Sequence, residues 1–96
     1  MELLTPNHTL NSLTQVLTRA AELILQERSR QDGKWGLQRH SHADWLVIVT
    51  EELGEVCAEI QAVTADSTRR EHLRKELVQV AACLVLWLES ELDDNV

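Results

Sequence analysis

Tyrosine and phenylalanine are absent from this 96-residue chain, and Trp35, Trp45 and Trp87 are its only aromatic residues. Strands draw heavily on aromatic and β-branched side chains, so the shortage argues against a β fold. Basic residues are also scarce: nine Lys and Arg stand against sixteen Asp and Glu, a formal charge of −7. The phosphates of DNA or RNA repel such a chain, which excludes a nucleic-acid polymer as partner. No stretch reaches the ~18 apolar residues of a membrane span, and residues 1–6 lack the basic stretch and apolar region of a signal peptide. The expectation is a protein of the cytoplasm with no membrane partner. Cys57 and Cys83 form no CxxC pair, and each sits in an apolar helical stretch, where a buried free thiol of a reducing compartment is the ordinary finding.

What the chain has in abundance is sixteen leucines and eight alanines, both strong helix formers. Its length fits a single domain over residues 1–96, whose core hides only about 60–65% of the unfolded surface, so a partner subunit would help. A first helix is predicted from Ser12 to Arg30, with Leu13, Val16, Leu17, Ala20, Leu23 and Ile24 on one face. Residues 31–40 then break the pattern with Gly33 and Gly36 and six polar or charged side chains, a loop long enough to suggest a function. The second helix should be capped by Ser41, with Asp44 at its third position, and run to Thr64. Its apolar residues, among them Trp45, Leu46, Leu53, Val56, Cys57 and Ile60, fall within an arc of roughly 120°, which predicts the core face. Residues 65–69 form a short polar turn, so a third helix over Arg70 to Leu92 returns antiparallel as a hairpin.

Between Leu77 and Leu88 this third helix carries a single polar side chain, Gln79. A helix that is apolar all round must be covered all round, and a 96-residue monomer has too few helices to do so. The predicted fold class is therefore all-α: an antiparallel helical hairpin plus an N-terminal helix, completed into a bundle by homo-oligomerisation.

Glu51, Glu52, Glu55 and Glu59 share an arc of about 100° on the second helix, beside its core face. Like charges three and four residues apart repel. Folding the hairpin about Ser67 sets Glu55 opposite Gln79, brings Glu76 within a turn of it, and puts Lys75 level with Glu59. The pair then presents Glu51, Glu52, Glu55, Glu76 and Gln79 to one cavity, while Glu59 is expected to pair with Lys75. Several carboxylates in a partly apolar site raise one another's pKa unless a cation neutralises them, and an oxygen-rich site of this kind suits Mg²⁺ or Mn²⁺.

Glu51-Glu52-Leu53-Gly54-Glu55, then twenty residues, then Glu76-Leu77-Val78-Gln79 resembles the EExxE…ExxD signature of the MazG-like, all-α nucleoside triphosphate pyrophosphohydrolases. The resemblance takes in Lys34-Trp35-Gly36, Gln38, His40 and the apolar run to Trp87, covering most of residues 27–90. It implies Mg²⁺-dependent hydrolysis of an NTP or dNTP to the monophosphate and pyrophosphate, a nucleotide-pool house-cleaning activity, by a homodimer or homotetramer. Glu52, Glu55 and Glu76 would be the principal metal ligands. Gln79 stands where the family has aspartate, a neutral fourth ligand at best, and so keeps open a non-catalytic oligomeric bundle that binds nucleotide, metal or a protein partner. Glu51 would hold a second metal or act as general base, with Glu52 beside it in the catalytic pair.

For the nucleotide, Trp35 between two glycines is well placed to stack on a base or to anchor the loop, and Gln38 and His40 to hydrogen-bond base or sugar. Phosphate contacts fall to Lys34, Arg39 or the basic group Arg69, Arg70, Arg74 and Lys75, which otherwise would pair with Glu59, Asp66 and Glu71. Trp45 and Trp87 are expected in the core, His8 and His72 on the surface.

Overall fold

The computed structural model describes residues 10–93, and helix is the only regular structure among them. The elements are α1 (Leu10–Trp35), α2 (His42–Ala65) and α3 (Arg70–Leu92), with a single 3-10 turn, Ser67–Arg69, leading into α3. The all-α class, the hairpin and the additional N-terminal helix are as the periodicity indicates. Residues 1–6 and His8 lie outside the described residues. Among the described residues no helix is long and apolar enough to cross a membrane.

Helix α1 continues five residues past its expected end at Arg30, through the first half of the expected loop. The Arg28 guanidinium bonds Asp32 one turn ahead at 2.9 Å and Glu89 of α3 at 2.6 Å, so the segment is fixed by side chains that a local reading treats as polar filler. Lys34 in the last turn favours the negative helix end. The stop is Gly36, whose φ of +70° places it in the left-handed region while its amide reaches the Asp32 carbonyl at 2.9 Å. That single bond closes a helix with glycine just past its end. The true connection to α2 is thus only residues 36–41.

Ser41 caps α2 as anticipated, its hydroxyl accepting from the Asp44 amide at 3.1 Å. Asp66 then caps the 3-10 turn, accepting from the Thr68 amide at 3.0 Å and hydroxyl at 2.7 Å. Because the chain reverses at Asp66, Glu59 meets Arg69 at 3.0 Å rather than Lys75. The expected Glu59–Lys75 pairing is therefore replaced, while Arg69 with Glu59 and Arg74 with Glu71 form pairs that the acidic neighbours of the basic group offer.

Helix α3 packs on both α1 and α2, whereas α1 and α2 do not pack on each other among the described residues. The buried apolar core is small: Trp45, Val56, Ala82, Cys83 and Leu86. This corrects the expected core face of α2, on which Leu46, Leu53, Ile60 and Cys57 are exposed. Leu77, Leu84 and Leu88 of α3 are exposed as well. The reason is geometric: α1 covers one side of the hairpin only, and nothing in a single chain covers the other. Trp87 is half-buried and donates its indole N–H to His42 Nδ1 at 3.0 Å.

Candidate metal centre and adjoining cavity

Glu52 and Glu55 project from adjacent turns of α2, and Glu76 faces them from α3. One carboxylate oxygen from each residue can be chosen so that all three lie within 4.8 Å of one another. Glu52 and Glu76 are half-buried and Glu55 is exposed. Burial, with the charges of Glu55, Glu27 and Glu51 around it, pushes the Glu52 carboxyl above its ordinary range. Burial and a hydrogen bond with Glu55 do the same to Glu76. Both Glu52 Oε2 and Glu76 Oε2 are buried without a hydrogen-bond partner. Acceptor-only oxygens left unpaired among like charges are what a divalent cation satisfies, and a hard oxygen set with room for waters fits Mg²⁺. The residues present therefore fit such an ion.

Glu51 is exposed, outside this triad, and close enough to act on Glu52 through its charge. Gln79 is half-buried in the wall of a cavity of about 560 Å³ that opens beside Glu52. That cavity is the gap between α1 and α2, floored by α3. Glu27, Gln31 and Trp35 line it from α1 at one-turn spacing, and Glu52, Ile48 and Trp45 line it from α2. The short connection brings Trp35 and Trp45 to the same end, so both rows run from acidic to aromatic.

Trp35 closes helix α1 rather than standing in a loop, and it is half exposed with Lys34 Nζ 4.7 Å and the Arg30 guanidinium 5.7 Å from its ring centroid. Two cations thus border the aromatic end. Gln38 lines the cavity, while His40 sits edge-on to the buried Trp45 at 4.7 Å and bonds Gln38 at 3.3 Å, outside the lining. Arg39 is drawn away to Asp93 at 2.8 Å. Lys75 has no ion-pair partner within 4 Å among the described residues and helps to hold the Glu27 carboxyl below its usual range, after the stronger hydrogen bond from Arg30. The cavity residues that sequence reading missed are Glu27, Arg30, Gln31 and Cys83. Carrying the 3.6-residue period through to Trp35 would have put Glu27, Gln31 and Trp35 on one stripe.

Cys83 is buried in this wall, and desolvation, with the charge of Glu52 next, lifts its thiol to about 11. The exposed Cys57 corrects the expectation of two buried thiols. Iodoacetamide at pH 8 is expected to add one group per native chain, at Cys57, and a second only in urea, as read by peptide mass spectrometry.

What fold and site define is an all-α protein with a carboxylate triad at the acidic end of an aromatic-ended cavity. Comparison with protein-family models, curated proteins and solved structures finds no match to the chain.

Proposed function

We propose that this protein is a Mg²⁺-dependent nucleoside triphosphate pyrophosphohydrolase, converting an NTP or dNTP to the monophosphate and pyrophosphate. The observation that carries the reading is the Glu52, Glu55 and Glu76 triad at one end of a nucleotide-sized cavity whose other end offers an exposed tryptophan between cations. The resemblance of residues 27–90 to the MazG-like enzymes supports it. Glu52, Glu55 and Glu76 would hold the ion, with Gln79 as a neutral neighbour. When bound, the ion screens the triphosphate's charge and makes water a better nucleophile.

The chain's own residues do the rest. The water oxygen bonds to the α-phosphorus, the bridging bond to the β-phosphate breaks, and pyrophosphate leaves. Glu51, accessible and adjacent to the triad, takes the water's proton. Lys75 binds phosphate oxygens at the carboxylate end, Trp35 with Lys34 beside its ring stacks on the base, and Gln38 in the cavity wall hydrogen-bonds base or sugar. Self-association over the exposed leucines of α2 and α3 completes the bundle, as a homodimer or homotetramer measurable by light scattering.

The decisive measurement is pyrophosphate release from a panel of NTPs and dNTPs with millimolar Mg²⁺ or Mn²⁺. Release from at least one nucleotide is expected, and none from any would overturn the reading. Gln79 favours the second reading, a bundle that binds nucleotide or metal without turnover. That reading predicts binding in the same panel with no pyrophosphate.

A further inference from the structure

Gln31 has no part in the chemistry above, yet it is only 6% exposed and lies in the cavity wall. A leucine there would have enlarged a meagre core. Burying an amide instead is unfavourable unless its polar atoms are used. Its orientation is fixed by a neighbour that can only donate: the buried Arg28 guanidinium, already held by Glu89 and Asp32, aims NH1 at Gln31 Oε1 at 3.4 Å. The amide nitrogen must then face the other way, where it reaches Glu27 Oε2 at 3.3 Å and the Cys83 thiol. The amide nitrogen carries two N–H groups: Glu27 takes one, and the other faces sulfur, a weak acceptor, so an acceptor on a ligand can take its place.

The position along the helix says which part of a ligand arrives there. At 1.5 Å per residue, Gln31 lies about 6 Å and Trp35 about 12 Å beyond Glu27 along α1. Glu27 is at the carboxylate end, where its charge acts on Glu52. Phosphates anchored at that end put the base of the same nucleotide between Gln31 and Trp35.

We infer that Gln31 is a specificity-determining residue: its Nε2 donates to a ring nitrogen or carbonyl on the edge of a nucleobase stacked against Trp35. This deepens the pyrophosphohydrolase reading and rests on its placement of the nucleotide. A donor held in one orientation accepts bases that present an acceptor at that point and disfavours those that present an N–H, so the parent discriminates among the four bases.

The test compares the parent with Gln31→Met, which keeps the volume and removes the amide. Two readouts are taken over the four dNTPs and the four deoxynucleoside monophosphates with Mg²⁺: KM and kcat for pyrophosphate release, and Kd from quenching of tryptophan fluorescence. In the parent, the best and worst bases are expected to differ at least tenfold. In the variant that ratio collapses by about tenfold through a rise in KM or Kd for the best base, with kcat changed less than threefold. A parent without discrimination, or a variant weakened equally for all four bases, overturns the proposal and leaves the activity standing. Binding without turnover in the parent overturns the activity, while the Kd ratios still decide the role of Gln31. A parent that binds none of the eight nucleotides overturns both.

Discussion

The Glu52→Gln/Glu55→Gln double variant is expected to melt higher than the parent in EDTA, to gain nothing from Mg²⁺, and to release pyrophosphate at least about 100-fold more slowly. The stabilisation follows from the geometry: three carboxylates converge within 4.8 Å, and each like-charged helical neighbour costs about 0.2–0.5 kcal/mol. In the parent, Mg²⁺ at about five times its Kd adds about 1 kcal/mol, which raises Tm by about 4–8 °C in a domain of this size. Thermal melts with and without 10 mM Mg²⁺ measure both effects. A parent indifferent to Mg²⁺, or a double variant that still responds, would show that the triad holds no ion.

The same arrangement gives a pH dependence whose sign is fixed. Burial and neighbouring carboxylates raise the folded-state pKa of Glu52 and Glu76. Groups raised in this way contribute stability below their unfolded value of about 4.3 and lose it as pH rises through the higher folded value. The metal-free protein therefore loses this contribution as pH rises above about 4.3 and the carboxylates ionise against one another. Glu27, held low chiefly by Arg30, contributes in the opposite sense, with stability lost as pH falls. Subtracting melts taken with and without Mg²⁺ at each pH isolates the triad. The Mg²⁺ gain is expected to grow from pH 5 to pH 7.5.

Trp45→Ala is expected to abolish cooperative unfolding. Trp45 is 1% exposed and is the one large side chain fully buried among the described residues. Truncating a buried tryptophan costs about 3–5 kcal/mol, against a total of roughly 5–14 kcal/mol for a domain this size. With four other buried apolar residues remaining, the packing of α2 on α3 loses its largest buried side chain. Trp45→Phe should cost far less, because the indole N–H it deletes is buried without a partner. Thermal melts followed by circular dichroism separate the two. A cooperative Trp45→Ala transition within 5 °C of the parent midpoint would show that the core lies elsewhere.

Much of this architecture is legible residue by residue. Ser41 and Asp44 mark the start of α2 because a capping hydroxyl and the third amide need no tertiary partner. The polar residues after Ala65 mark the reversal for the same local reason. By contrast, residues 31–35 look like loop because Asp32 and Gly33 disfavour helix, and it is Arg28, bonded to both Asp32 and Glu89, that ties the segment to α3. The exchange of Lys75 for Arg69 beside Glu59 has a similar origin, since hairpin register depends on where the chain turns. A two-residue error moves a side chain far around a helix.

The sequence by itself determined three helices, the Ser41 cap and the acidic arc of α2, because periodicity and capping are set by neighbours within a turn or two. Only the tertiary structure decided that Glu51 stays outside the group that Glu76 forms with Glu52 and Glu55, that α1 packs on α3 and stands off α2 to leave a cavity, and that Gln31 turns its amide nitrogen toward it. Those outcomes depend on which side chains meet across helices distant in the chain, and on arginine having donors alone to offer. No local pattern encodes that meeting.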